Sequence, residues 1–450
     1  MFCKRDNLKP CQNITTELSK TKTTLSLRDV SEDAHIFNAV RAVLKCKQNR
    51  ISRLEICGGL CTKKKKEFLS LLREIKHLSA LCLVCHRLGP DMTRDLIRYV
   101  VEETKIRDLE ISFDSTRCGI SQGTSLKTSL SSIRRLSLRA CNLIDLDPVL
   151  SLLLHPRLEE LDLSDNPIEL IRFVRRVLVL RDVRTLFSPS TARSNSHPTL
   201  KKKKHQVRFR VLRLQSISCN TSSYGNHINV LFESCTEELD LSRNKFLRNN
   251  VLCDHVAQAI RTDKVKLKTL RLDECDLTDR NLRSILSLKT SSSLHHLHVR
   301  SSSLQDKILF DRDEESLDIV TLFELRSLHI SNLNMPNDAQ SLIRSLQRGT
   351  RRRHRRDDFV LDLSGNVWTC SKNHNDEISK FTQRCSELAR MFNHFILRVE
   401  SWTLNENSRI LERLWVTGND SESSSSLKGR FSVVLSPSGT PFEFRWDTTA

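Results

Sequence analysis

This 450-residue sequence predicts an α/β fold of stacked strand–helix units, with an inner parallel sheet and outer helices. Three observations carry the prediction. Leu158 to Ile168 reads L-E-E-L-D-L-S-D-N-P-I, which has the form L-x-x-L-x-L-x-x-N-x-L. Leu267 to Leu277 (L-K-T-L-R-L-D-E-C-D-L) restates it with cysteine in place of the asparagine. Between such matches lie apolar residues at helical spacing, such as Phe68, Leu69, Leu72 and Ile75, or Leu252, Val256 and Ile260.

Within the strand, Leu161 and Leu163 are two apart, so they share a face and point into the core. The first leucine of each L-x-L pair gives a series: Leu25, Leu54, Leu81, Leu109, Leu136, Leu161, Leu186, Leu212, Leu239, Leu270, Leu297, Leu328 and Leu361. Its mean step is 28 residues. Leu186, in V-R-T-L-F-S-P, is its weakest member, included because the 51 residues from Leu161 to Leu212 are close to two periods. Phe395 and Leu414 both fit a later strand, although only 19 residues separate them.

Asn166, Asn244 and Asn366 stand where the chain leaves the strand. An amide there both donates to and accepts from backbone groups that would otherwise be buried unpaired. Cys141 and Cys275 hold the same place, as small buried thiols can.

Self-similarity at this period resembles the leucine-rich repeat, and its length resembles the ribonuclease-inhibitor-like class. The resemblance covers roughly residues 22 to 420. It implies a horseshoe solenoid of about 13–14 repeats, whose motif residues are structural and silent on activity. Residues 1–21 then form a polar N-terminal tail. Residues 421–450 form a serine-rich linker and a β-hairpin cap built from Phe431 to Leu435 and Phe442 to Trp446.

A hydrophobic fraction of 38% is low for one large core but suits narrow stacked layers. The start has no apolar run behind it, and no stretch reaches 18 apolar residues. The expectation is therefore no signal peptide, no membrane span and a cytoplasmic or nuclear location, not a secreted one. Fifteen irregularly spaced cysteines are then free thiols. The formal charge is +19, but most of the excess sits in three runs: Lys63, Lys64, Lys65 and Lys66; Lys201, Lys202, Lys203 and Lys204; and Arg351, Arg352, Arg353, Arg355 and Arg356. These read as basic rim loops, and as candidates for nuclear import or for contact with an acidic partner.

Residues alternating with the core leucines line the concave face. The candidate binding residues are Arg135, Arg139, Glu160, Asp162, Arg213, Glu238, Asp240, Arg271, Asp273, His296, His298, Arg300, His329 and Asp362. Basic and acidic strands alternate, which suits a protein partner better than a polyanion, since a polyanion wants one sign throughout. The aspartates of the L-D-L-S wording also have a plain reading as solvated strand positions.

Two clusters suggest metal ligands, and each has a plainer reading as part of a polar face. His296, His298 and His329 gather on neighbouring strands, yet no fourth ligand accompanies them. Cys57, Cys61, Cys82 and Cys85 have tempting spacing, but the repeat register scatters them. No metal and no cofactor is expected. No phosphate-binding loop, nucleophile elbow or H-E-x-x-H stretch occurs, so the chain is expected not to be an enzyme. The expected function is a non-catalytic adaptor or scaffold for a protein partner.

Solenoids of this class resemble the substrate receptors of ubiquitin ligases, which is a likeness of fold alone. The first fifty residues do not look like an F-box. Leu231 to Leu239 (L-F-E-S-C-T-E-E-L) has the spacing of an elongin-binding box, but it runs into a repeat strand. The alternative is a basic nuclear protein touching nucleic acid or an acidic partner through its rims. Against single-strand stacking, no aromatics interleave with the basic runs.

Overall fold

Leucines held in register organise the sheet. The structure is a computed structural model that describes residues 14–18, 23–30, 51–58, 65–75, 77–85, 90–113, 132–180, 208–218, 225–260, 262, 264–286, 293–300, 325–330, 334–335, 342–343, 356–363, 367–368, 374–389, 392–398, 430–435 and 442–445. The chain divides into two compact units, Met1–Asn220 and Thr221–Ala450.

In the first unit, β1 (Ile14–Leu18) runs antiparallel to β2 (Thr23–Val30). From β2 on, neighbours are parallel: β3 (Ile51–Gly58), β4 (Ala80–Cys85), β5 (Asp108–Phe113), β6 (Arg135–Arg139), β7 (Glu160–Asp162) and β8 (Phe209–Arg213). The register sets Leu25 beside Leu54, then Leu81, Leu109, Leu136, Leu161 and Leu212. All seven are buried, each contributing about 1.5–3 kcal/mol of hydrophobic stabilisation before chain entropy is counted. Parallel neighbours need a crossover between them. The helices Lys65–Glu74 and Pro90–Glu103 provide two. Pro90 fits the first turn, where an N–H has no partner to lose. Leu96, Ile97, Val100 and Val101 form the buried stripe of that helix at i, i+4 spacing. Arg73 of the first helix lies over the Tyr99 ring at 5.4 Å and reaches Glu103 at 3.4 Å, joining the two. After β7 the helix Leu170–Phe173 continues through a π-helical turn, Val174–Leu178.

Two expectations are corrected in this unit. A loose tail over residues 1–21 does not describe Ile14–Leu18, which is a sheet strand. Leu186 is not a marker between Leu161 and Leu212. β7 bonds β8 directly, with Glu159 O accepting from Arg210 N at 2.7 Å and Arg213 O accepting from Leu163 N at 3.0 Å. Backbone pairing is indifferent to how much chain lies between two strands, so the doubled spacing is one step of the sheet.

The second unit repeats the plan. β9 (Cys235–Asp240), β10 (Thr269–Arg271), β11 (His296–Val299) and β12 (Ser327–Ile330) are successive parallel neighbours. β13 (Asn334–Met335) pairs with β15 (Val367–Trp368) in a separate small sheet, while β14 (Arg356–Asp362) follows β12 in the main one. β16 (Phe392–Arg398) and β17 (Arg430–Leu435) continue it in parallel, and β18 (Phe442–Arg445) turns back antiparallel. Leu239, Leu270, Leu297, Leu328, Leu361 and Leu397 share one buried row. The two strands expected at Phe431 to Leu435 and Phe442 to Trp446 pair antiparallel as the last two of the sheet, and the strand at Phe395 belongs to the same sheet; Leu414 is outside the described residues. The helices Gly225–Glu233, Asn250–Ile260, Asp279–Leu286 and His374–Ala389 belong to this unit. Asn249 caps the second of them, its Oδ1 accepting from Val251 N at 2.9 Å. Among the described residues, no helix is long and apolar enough to cross a membrane.

The turns after β6, β7, β8, β9 and β10 follow one scheme. Ala140, Asp165, Ser216, Arg243 and Glu274 lie four residues after their marker leucines, and all have φ between 50° and 62°. This left-handed conformation costs a non-glycine residue about 1–2 kcal/mol. Hydrogen bonds to the preceding strand offset it. Asn166 Nδ2 donates to Leu138 O (2.7 Å), Leu163 O (2.8 Å) and Ser164 O (3.2 Å), and its Oδ1 accepts from Leu143 N at 3.0 Å. Cys141 offers its thiol to Ile111 O at 3.4 Å, and Cys275 to Leu241 O at 3.2 Å, the carbonyls of the preceding strand in the corresponding place. Asn244 donates to Leu241 O at 2.7 Å. Asn366 lies outside the described residues.

Candidate partner-binding face

Opposite the leucine row, side chains one before and one after each marker form two columns along each unit's sheet. In the first unit they enclose a cavity of 270 Å³ whose lining includes Arg53, Cys82, Asp108, Glu110, Arg135, Glu160, Asp162 and Arg213. Arg135 is forked onto Asp108, with Nε at 2.7 Å from Oδ1 and Nη2 on Oδ2, and lies 3.9 Å from Glu160. Glu160 also takes Arg210. Arg53 pairs with Glu55 at 2.6 Å, and Arg139 with Asp165 at 2.8 Å. Burial pushes the Cys82 thiol up to about 12, helped by Glu110, which accepts its hydrogen bond. This face thus holds carboxylates and guanidinium groups in pairs, within β3 for Arg53 and Glu55 and across strands for Arg135 and Asp108.

Four expected residues come together here: Arg135, Glu160, Asp162 and Arg213. Arg53, Cys82, Asp108 and Glu110 were not among the expected binding residues, although they flank Leu54, Leu81 and Leu109 by the same alternation. That alternation was the signal that would have found them.

In the second unit, the column after the markers runs Asp240, Arg271, His298, His329, Asp362, Arg398 on six successive strands. The imidazoles of His298 and His329 stack at 4.0 Å. Asp362 Oδ2 receives His329 Nδ1 at 2.7 Å and Arg300 Nη2 at 2.9 Å. Arg300 Nη2 also lies 3.0 Å from His329 Nδ1, so the three side chains form one cluster. His296 Nδ1 lies 2.7 Å from Ser327 Oγ. Burial pulls the His298 pKa down to about 2, aided by His329, Arg271, Arg300 and His296. His296 is also lowered, mainly by burial and then by His295. Arg271 pairs with Glu238 at 3.4 Å. Asp273 Oδ1 accepts from Arg300 N at 2.8 Å, and burial raises its pKa.

The solvated polar face expected from the sequence is corrected at several of these positions. Asp240, Asp362, His298 and His329 are all buried. Their neighbours one strand away cover them, which alternation along a single strand cannot reveal. The L-D-L-S aspartates hold backbone: Asp162 Oδ1 accepts from Ser164 N, and Asp240 Oδ1 from Ser242 N, each at 2.9 Å. The serines pass the linkage sideways, Ser164 Oγ accepting from Gln215 N and Ser242 Oγ from Asp273 N, both at 3.1 Å. Short polar side chains here end one strand and hold the next.

The basic rim residues divide differently. Lys65 and Lys66 open the helix Lys65–Glu74, and Arg356 opens β14, where it stands opposite Phe392, so these three are not loop residues. Lys63, Lys64, Lys201 to Lys204, Arg351 to Arg353 and Arg355 lie outside the described residues.

Among the described residues, no group of three His, Cys, Asp or Glu side chains is placed to hold a metal ion. Cys57 and Cys82 are free, half-buried thiols on adjacent strands, and Cys61 is outside the described residues. Leu231 and Cys235 are buried and fall on a helix and a strand, with buried Leu239 further along that strand. The elongin-box spacing therefore presents no helical face to a partner. No protein-family model matches the chain, and no curated protein matches it either.

Proposed function

We propose that the chain is a leucine-rich repeat solenoid of the ribonuclease-inhibitor-like kind, acting as a non-catalytic adaptor that recognises a protein partner on the strand face. One observation carries the reading. The first-unit groove holds both signs of charge, with Arg135 placed between Asp108 and Glu160 of neighbouring strands. Such a surface complements a protein of mixed charge, whereas a polyanion would meet repulsion at every second strand. A receptor subunit of a ubiquitin ligase is one form this adaptor could take, and the buried Leu231 to Leu239 stretch lends it no support. Affinity capture with and without nuclease, followed by cross-linking, tests the reading. A nuclease-resistant partner cross-linked to the strand face is expected. Recovery of nuclease-sensitive complexes alone would overturn it in favour of the second reading, a nuclear protein held to nucleic acid by the basic runs that supply most of the +19 charge.

A further inference from the structure

The cavity in the first unit's strand face lies where a short side chain stands between two longer ones. In the column after the marker leucines, Glu110 on β5, Ser137 on β6 and Asp162 on β7 are side by side in register. All three line the 270 Å³ cavity and are half-buried, so solvent reaches them. Buried Leu109, Leu136 and Leu161 line it too, so it reaches down to the strands themselves. The strands that carry the two carboxylates are about 9–10 Å apart, two spacings of the sheet.

The charges around the cavity are unevenly used. Arg135 is forked onto Asp108 and lies 3.9 Å from Glu160, which also takes Arg210. Arg53 holds Glu55 at 2.6 Å, and Arg213 stands on β8 beside Asp162. Glu110 and Asp162 take neutral donors instead, the Cys82 thiol and Ser164 N. Among the described residues, no ion pair reaches either of these two carboxylates. An approaching group therefore meets two accessible carboxylates whose charge is unmatched, one on each side of Ser137.

We propose that this cavity receives a single arginine side chain of a protein partner, its guanidinium seated over Ser137 between Glu110 and Asp162. The inference rests on reading the strand face as a protein-docking surface. A guanidinium matches because it is planar, donor-only and always charged, with donors on opposite edges, so one group addresses carboxylates on both sides. The volume suits one side chain and falls below the range of about 300–1,000 Å³ typical of pockets that enclose a small-molecule ligand. A nucleic-acid strand does not match, because its phosphates would be brought against the two unmatched carboxylates.

The test uses the full chain, deuterated and ¹⁵N-labelled, and, as probe, a capped Gly/Ser heptapeptide with one arginine. The expected result is a saturable shift of the Glu110, Ser137 and Asp162 amide resonances. A citrulline version of the peptide, of the same shape without the charge, gives none. E110Q or D162N weakens the response at least five-fold, and S137L, which fills the place of the guanidinium, abolishes it. E110Q and D162N change shape little, and D162N keeps an oxygen for Ser164 N, so they keep the test valid if S137L fails to fold. Unmoved resonances, an equal response to the citrulline peptide, an undiminished response in both E110Q and D162N, or tighter binding of a single-stranded oligonucleotide at the same resonances overturns the proposal. If the peptide is silent while a captured partner still cross-links to the strand face, the arginine site falls and the docking reading survives.

Discussion

The imidazoles of His298 and His329 lie 4.0 Å apart with their planes inclined by 13°, on strands paired in register. His298 is kept neutral, its pKa lowered from 6.5 to about 2 chiefly by burial. Below pH 6.5 the unfolded chain binds a proton that the folded chain refuses. Stability should therefore fall as pH drops from 6.5 towards 2, by up to about 1.4 kcal/mol per pH unit from this group. Urea midpoints between pH 6.5 and 5, above the usual carboxylate range, should show the slope, and His298→Phe should flatten it. An unchanged slope in that variant would assign the effect elsewhere.

Asn166 closes four hydrogen bonds across two strands from a buried position. Asn166→Ala strands Leu143 N and Leu138 O without replacement and should destabilise the first unit by about 2–4 kcal/mol. Cys141→Ala removes only weak thiol contacts and should cost less than half as much. Chemical denaturation followed by a probe in residues 132–180 compares them. Equal losses would contradict the role given to the asparagine amide.

Asp240 and Arg271 stand side by side on β9 and β10 but act differently. Asp240→Ala should cost about 1–2 kcal/mol by releasing Ser242 N. Arg271→Glu should leave stability within about 1 kcal/mol, because its ion pair with Glu238 is part-exposed, while weakening partner binding at least ten-fold. Calorimetric unfolding and capture yield on the same two variants separate fold from recognition.

Cys82 should react slowly with iodoacetamide at pH 8, because its thiol is held near 12. Glu110→Gln removes the carboxylate that accepts its proton and should speed alkylation several-fold; burial, the larger cause, remains. Mass spectrometry of the Cys82 peptide reads the rate, and a slower variant would refute the assignment. Cys141 and Cys275 should stay unmodified until the chain unfolds.

The row of leucines was legible because it depends only on alternation within a strand and on recurrence along the chain. Its misreading at Leu186 came from treating the mean spacing as a rule, when hydrogen bonding between the Leu161 and Leu212 strands imposes none. β1 was hidden in a polar stretch whose Ile14, Thr16 and Leu18 alternate only weakly. The polar strand face was half legible. Alternation placed Arg135, Arg271 and His298 on it, but the burial of Asp240, Asp362, His298 and His329 depends on what stands one strand away. Their hydrogen-bond duties are equally lateral. The hold of Asp162 on the backbone, for instance, becomes visible only with Ser164 and Gln215 in place.

The direct pairing of β7 with β8 has a consequence for how such a chain can change. Twenty-five residues separate Leu136 from Leu161 and 51 separate Leu161 from Leu212, yet each interval advances the sheet by a single rung. Doubling a connection adds only about 0.6 kcal/mol of closure entropy. Length between β7 and β8 is thus a nearly neutral coordinate, open to drift, to grafted tags or to an acquired module, while the side chains of the polar strand face keep their addresses.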